Sequence, residues 1–252
     1  MKRVITDTNI WYNINSEELK EISKKFKLVV PIIVINELYT SRNLWKSEKT
    51  FENLQKAVTT IVENASILEF IELDPFEYLL REIYPSIQPR LTVKSYLEEF
   101  KALTRLSYAQ VKNIQVDRGD ISGLSDYINK RSIGYKKLVD SNKDKFKKMD
   151  TRGYTEKYIL MLANDNLAYL DNSYPRIESL NKDKFELLIN TFDDIFREVS
   201  KSGKKIKDND WVDIFNLTYA GKEDLYWTNE KSKLRHVENS GCENYLFQKS
   251  YS

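Results

Sequence analysis

The two ends of the chain alternate short continuous apolar runs with helical periodicity, whereas the middle carries helical periodicity alone. Residues 2–5 predict a short buried strand that ends at Asp7. A helix is expected from about Ile10, and a second over 17–26, with Ser16 as its N-cap. The run Leu28-Val29-Val30 predicts a second strand, β-branched and unbroken as parallel strands are. Pro31 stops it and suits the first turn of a helix over 32–39. On that helix Ile33, Asn36, Glu37 and Thr40 share one face. Residues 51–65 then read as a helix and 67–73 as a third strand.

From 75 to about 200 the spacing is helical, as in Tyr96-Phe100-Leu103 and in Leu187-Phe192-Ile195-Phe196-Val199. Turn signals fall at Arg118-Gly119-Asp120, Ser122-Gly123, Thr151-Arg152-Gly153 and Ser173-Tyr174-Pro175. The last part resumes the alternation, with a helix over 210–220 and a strand over 224–228 leading to Glu230. Strands at both ends and helices between them predict an α/β fold: a parallel sheet flanked by helices, with a long, mostly helical insertion. The expected division is a discontinuous domain of 1–74 and 201–252, interrupted by 75–200. Ligands of such sheets bind outside the carboxyl ends of the strands, where Asp7 and Glu230 are both expected.

Composition changes this picture little. The chain has 252 residues, enough for one large domain or two small ones, with 41% apolar and 31% charged residues. A net charge of +2, from 40 basic and 38 acidic residues, gives no global polycationic signal, so any nucleic-acid contact must use a local patch. The Lys-rich stretch 135–150 is either a solvated helix face or such a patch, its lysines running from Lys136 to Lys148. The 16 tyrosines serve the core or stack on bases. One cysteine, Cys242, and one histidine, His236, exclude an internal disulfide and a Cys/His zinc cluster. They also make Cys–His nucleophilic chemistry a poor fit, since no strand–helix elbow or Gly-rich loop accompanies them. His236 is either a surface residue or a phosphate contact. The longest apolar run, 28–35, is broken by Pro31 and far too short for a membrane span. A charged residue, Asp7, precedes any signal-peptide core, and a cytoplasmic location without membrane attachment is expected.

The candidate chemistry is carboxylate. Asp7 sits at a strand end between small polar neighbours, and Glu37, Asp213 and Glu230 lie where the fold can bring them to it. Close carboxylates repel and raise one another's pKa, and a hard divalent cation resolves that repulsion. Glu37 lies among Ile33, Ile35 and Leu38, and a buried Glu needs a partner such as a cation. Asp210 and Asp213 share a helix face; Asp210 either favours the helix dipole or supports the site.

Four segments carry a resemblance. They are Ile5-Thr6-Asp7-Thr8-Asn9-Ile10, Val30-Pro31-Ile32-Ile33-Val34-Ile35-Asn36-Glu37-Leu38, Asp213-Ile214-Phe215-Asn216-Leu217-Thr218-Tyr219-Ala220 and Leu225-Tyr226-Trp227-Thr228-Asn229-Glu230. In this order, each in its expected element, they resemble the PIN-domain family of metal-dependent nucleases, related in fold to flap-type nucleases. The resemblance covers roughly the first 40 and last 45 residues and implies a Mg²⁺ or Mn²⁺ site built from Asp7, Glu37, Asp213 and Glu230. It implies that Asn9 and Thr8 orient the acid or touch substrate, and that Thr228 holds the carboxylates. The family usually has Asp where this chain has Glu230, so that acid reaches the metal directly, reaches it through water, or binds it more weakly.

The expected activity is metal-dependent hydrolysis of RNA by an endoribonuclease, as in toxin-like, defence or RNA-processing members. RNA is the expected partner, with an antitoxin-like or other protein partner and a homo-oligomer as further expectations. The alternatives are a flap-type DNA nuclease, which would need a basic clamp such as Lys136 to Lys148, and a non-catalytic binding or scaffold protein, which Glu230 favours.

Overall fold

The computed structural model describes residues 1–112, 137, 140–141, 151–170, 173–202 and 208–248, with backbone alone at Trp45 and 208–210. In chain order, strand β1 (Lys2–Thr6) is followed by helices α1 (Thr8–Trp11) and α2 (Ser16–Ser23), and strand β2 (Phe26–Pro31) by α3 (Ile32–Tyr39), α4 (Asn43–Lys46) and α5 (Glu48–Glu63). Strand β3 (Glu69–Ile71) leads into α6 (Pro75–Arg81), α7 (Val93–Leu103), α8 (Tyr108–Val111), α9 (Arg152–Leu170), α10 (Glu186–Ser202) and α11 (Asp208–Asn216). Strand β4 (Leu225–Trp227) and helix α12 (Lys231–Asn239) complete the fold.

The sheet is parallel throughout, in the order β3-β2-β1-β4. Strand β1 is therefore central, and its Val4, Ile5 and Thr6 are all fully buried, which explains the unbroken apolar run. Ile5 lies opposite Val29 on one side and Tyr226 on the other. From β1 the chain moves one way to β2 and β3, then crosses to the opposite side to lay down β4. The direction of travel thus switches at β1, and the crevice beyond the carboxyl ends of β1 and β4 is where such a sheet places a ligand.

Local boundaries moved where side-chain chemistry overruled periodicity. Helix α2 is capped by Asn15 rather than Ser16, because the Asn15 side-chain oxygen Oδ1 accepts from the Glu17 and Glu18 amides at 3.1 and 2.9 Å. It ends at Ser23, and Phe26 already belongs to β2. Helix α5 starts earlier than Phe51, since Ser47 and Thr50 form a capping box: each side chain bonds the other's backbone amide. Ser47→Ala is expected to destabilise the fold by about 1 kcal/mol, a shift that urea denaturation measures. The turn expected at Thr151-Arg152-Gly153 is instead the start of α9, with Gly153 inside it. The helix expected over 210–220 divides into α11 and a 3-10 turn, Leu217–Tyr219. The turn signals at 118–123 and the Lys-rich 135–150 lie outside the described residues, apart from 137, 140 and 141.

The helical middle packs on the far end of the chain through an aromatic cluster. Phe192 of α10 stacks on Phe196 at 4.1 Å and meets Trp211 of α11 edge-on at 5.5 Å. Phe215, also on α11, lies 4.8 Å from Phe76 of α6. Several tyrosines are core residues: Tyr219, Tyr226 and Tyr245 are fully buried. Among the described residues no helix is long and apolar enough to cross a membrane.

Candidate metal centre

Asp7 follows β1 directly and is 2% exposed. A carboxylate buried this deeply needs partners, and the fold supplies them from both ends of the sequence. Its Oδ1 accepts from the Thr8 amide at 2.9 Å. Its Oδ2 accepts from the Asn9 amide group at 2.6 Å, the Thr228 hydroxyl at 2.6 Å and the Lys233 ammonium at 2.7 Å. The Asp7 amide in turn donates to the Trp227 carbonyl at 2.9 Å, extending the β1–β4 ladder. Asn9 ties the loop after β4 in place: it donates to Thr228 and accepts from the Asn229 amide at 2.9 Å. One residue earlier, Thr6 accepts from the Trp11 indole and donates to the Val29 carbonyl, which fixes α1 against the sheet.

Asp213 projects from α11 and Glu230 from the residue before α12, each partly exposed. One carboxylate oxygen from each of Asp7, Asp213 and Glu230 lies within 4.8 Å of the others. Between them sits Lys233, 6% exposed, with Nζ 3.0 Å from Asp213 and 3.8 Å from Glu230. It also donates to the Tyr226 hydroxyl at 3.3 Å. Helix α12 carries this lysine in its first turn. It ends in a Schellman motif, Cys242 amide to Val237 carbonyl and Gly241 amide to Glu238 carbonyl, and Gly241 takes the required positive φ of 74°.

Burial first, and charge crowding after it, shifts the pKa values of Asp213 and Lys233. Burial pushes the Asp213 carboxyl up to about 7; Lys233 pulls it down, while Asp7, Glu37 and Glu230 push it further up. Burial works against the Lys233 charge, but Tyr226, Asp7 and Asp213 outweigh it and hold the ammonium well above its ordinary value.

The structure brings Asp7, Asp213 and Glu230 together, with Asn9 and Thr228 bonded to the first of them. Glu37 adjoins this group through Thr8, whose hydroxyl donates to its Oε2. It is half-buried rather than fully enclosed. Burial raises its pKa, the Thr8 bond lowers it, and the Asp7 charge raises it again, for a net upward shift. Asp210 lies on α11, and its side chain is outside the described residues. His236 is no free surface residue, since its Nδ1 lies 2.8 Å from Asp194. Cys242 is buried, with the Asn190 amide as its neighbour.

Lys233 is the site residue that sequence reasoning missed. A lysine in a polar C-terminal helix reads as solvent-facing, yet its spacing of four from the buried Val237 places it on the inward face.

The donor set could hold a metal ion, since Asp7, Asp213 and Glu230 each offer a carboxylate oxygen. The Lys233 ammonium lies among these anions and offsets part of their charge. No family model, curated protein or solved structure matches the chain. The α/β fold and the acidic cluster therefore carry the functional reading.

Proposed function

We propose that this protein is a metal-dependent nuclease of PIN-domain type that hydrolyses phosphodiester bonds of RNA. Asp7, Asp213 and Glu230 hold Mg²⁺ or Mn²⁺, and Glu37 completes the acidic rim. The observation that carries this reading is the convergence of three carboxylates, from residues far apart in sequence, at the switch point of a parallel sheet. A divalent ion bound there polarises a phosphodiester and lowers the pKa of water.

The chain's own residues prepare the site. Thr228, Asn9 and the Thr8 amide fix the Asp7 carboxylate, and the Thr8 hydroxyl orients Glu37. Beside Asp213 and Glu230 opens a cavity of about 210 Å³ with an apolar floor of Ile195, Val199 and Leu217. Arg235 and His236 stand among its lining residues. Apolar lining beside a bound phosphate suits a nucleobase, with Arg235 held nearby by its ion pair to Glu198. In this reading residues 75–200 form a recognition module, and a toxin or defence role would add a protein partner such as an antitoxin.

The test is incubation of labelled RNA and DNA with Mn²⁺, Mg²⁺ or EDTA. RNA cleavage with metal, and none in EDTA, is expected. Cleavage that persists in EDTA would sink the reading, DNA-only cleavage would turn it to a flap-type nuclease, and cleavage of neither would leave a binding protein.

The two flanking acids are expected to differ. Glu230 is twice as exposed as Asp213, with side chains 40% and 20% accessible, so water replaces its contribution more readily. Glu230→Gln is expected to weaken Mn²⁺ affinity by about 10-fold and Asp213→Asn by about 100-fold or more. Isothermal titration measures both, and the reverse order would contradict the assignment.

A further inference from the structure

Lys233 occupies the point at which the carboxylates converge. Its ammonium lies 2.7 Å from Asp7 Oδ2 and 3.0 Å from Asp213 Oδ1, on two of the acids that could hold a cation. We propose that Lys233 is a built-in counter-ion that holds the acidic site together without metal, and that divalent metal and the seated ammonium exclude one another. This inference rests on the metal site of the proposed function and adds a gate to it.

Three observations support exclusion rather than coexistence. First, both cations would draw on the same two carboxylates, those of Asp7 and Asp213. A Mg²⁺ ion needs their oxygens at about 2.1 Å in near-octahedral geometry, which a seated ammonium obstructs. Second, two positive groups sharing the Asp7 carboxylate repel one another, and little water screens them there because Asp7 and Lys233 are both buried. Third, the lysine has somewhere to go. The cavity beside the site is lined by Lys233 together with Glu198, Ser202 and Ser232, so a change of rotamer keeps the ammonium near an acid and in polar company.

The arrangement also accounts for the position of the lysine on α12. Glu230 and Lys233 are three residues apart, so one helical turn carries both an acid of the site and its substitute cation. Without the lysine, Asp7 would be a buried carboxylate facing two others, a costly arrangement in the absence of metal. With it, the site is assembled before metal arrives, and metal affinity is reduced by the work of unseating the ammonium.

The test uses the protein labelled uniformly with ¹³C and ¹⁵N. A buried, ion-paired ammonium exchanges protons slowly and gives its own Nζ cross-peak, assigned through bonds. Titration with diamagnetic Mg²⁺ is expected to remove the protected Lys233 cross-peak in step with binding followed by calorimetry. Lys233→Met is expected to bind Mg²⁺ about 10-fold tighter than the wild type or more, and to melt at a lower temperature when metal-free. A protected cross-peak that persists at saturating Mg²⁺ overturns the proposal, and so does a variant that folds and binds Mg²⁺ no more tightly. The spectrum of the wild-type protein decides the matter even where the variant does not fold. Failure of wild type and variant alike to bind Mg²⁺ or Mn²⁺ would instead reject the metal site itself.

Discussion

Asp7→Asn is expected to lower metal-dependent RNA cleavage by about 1000-fold or more while leaving the fold intact. Loss of one directly ligating, charged oxygen removes several kcal/mol of transition-state stabilisation, and each 1.36 kcal/mol is about tenfold in rate. The substitution also takes a partner from a buried ammonium. Breaking a buried pair costs about 3–5 kcal/mol where the remaining charge is left alone. Here Lys233 keeps Asp213 at 3.0 Å and Glu230 at 3.8 Å, so the loss of stability from this pair falls below that range. With the asparagine oxygen facing the Thr8 amide, its NH₂ faces the Asn9, Thr228 and Lys233 donors, which adds to the loss of stability without removing the strand or helices that frame the site. A cleavage assay in Mn²⁺ beside circular dichroism separates the two effects. Retention of more than a tenth of the activity would remove Asp7 from the catalytic centre.

The second large effect is structural. Phe192→Ala is expected to destabilise the protein by about 3–5 kcal/mol, because a fully buried ring leaves a cavity that its neighbours cannot fill. Those neighbours are rings on three other turns of helix, Phe196, Trp211 and Phe215, locked by stacked and edge contacts. Against a total stability of about 5–15 kcal/mol the loss is large. At roughly 2–4 °C per kcal/mol for a chain of this size, the melting temperature falls by about 10 °C. Trp211 and Phe215 lie on the helix that carries Asp213, so metal affinity is expected to fall together with stability. Calorimetry with and without Mn²⁺ reads both. A melting temperature within about 2 °C of the wild type would show that α10 contributes little to seating α11.

What the sequence made legible was local. Strand β1 and the β2–α3 junction announced themselves because an unbroken β-branched run, a proline and a helical face all agree over a dozen residues. Asp7 and Glu37 were readable for the same reason, each tied to an element boundary. Glu230 was placed by the strand expected before it, whereas the choice of Asp213 over Asp210 came from the family resemblance. Their approach to Asp7 depends on β4 joining the sheet beside β1, a pairing across more than two hundred residues that no local signal encodes.

The misreadings also have physical causes. Ser16 and Asn15 are both capable N-caps, and only the orientation of the Asn15 side chain decides between them. Glycine in Thr151-Arg152-Gly153 suggested a turn, but Thr155, Tyr158 and Ile159 bury the same stretch as a helix, and tertiary packing overrides a weak propensity. Lys233 escaped notice because composition treats lysine as a surface residue. Its burial is intelligible only once three acids surround it.

The central claim is that these acids form a divalent-cation site, and crystallography of the Mn²⁺-soaked protein tests it most directly. The expected result is an anomalous manganese peak within about 2.2 Å of carboxylate oxygens of Asp7 and Asp213, with Glu230 on its open side and the Lys233 ammonium displaced. A crystal whose Asp7–Asp213 cluster shows no manganese at saturating concentration, with Lys233 still seated between the acids, would contradict it.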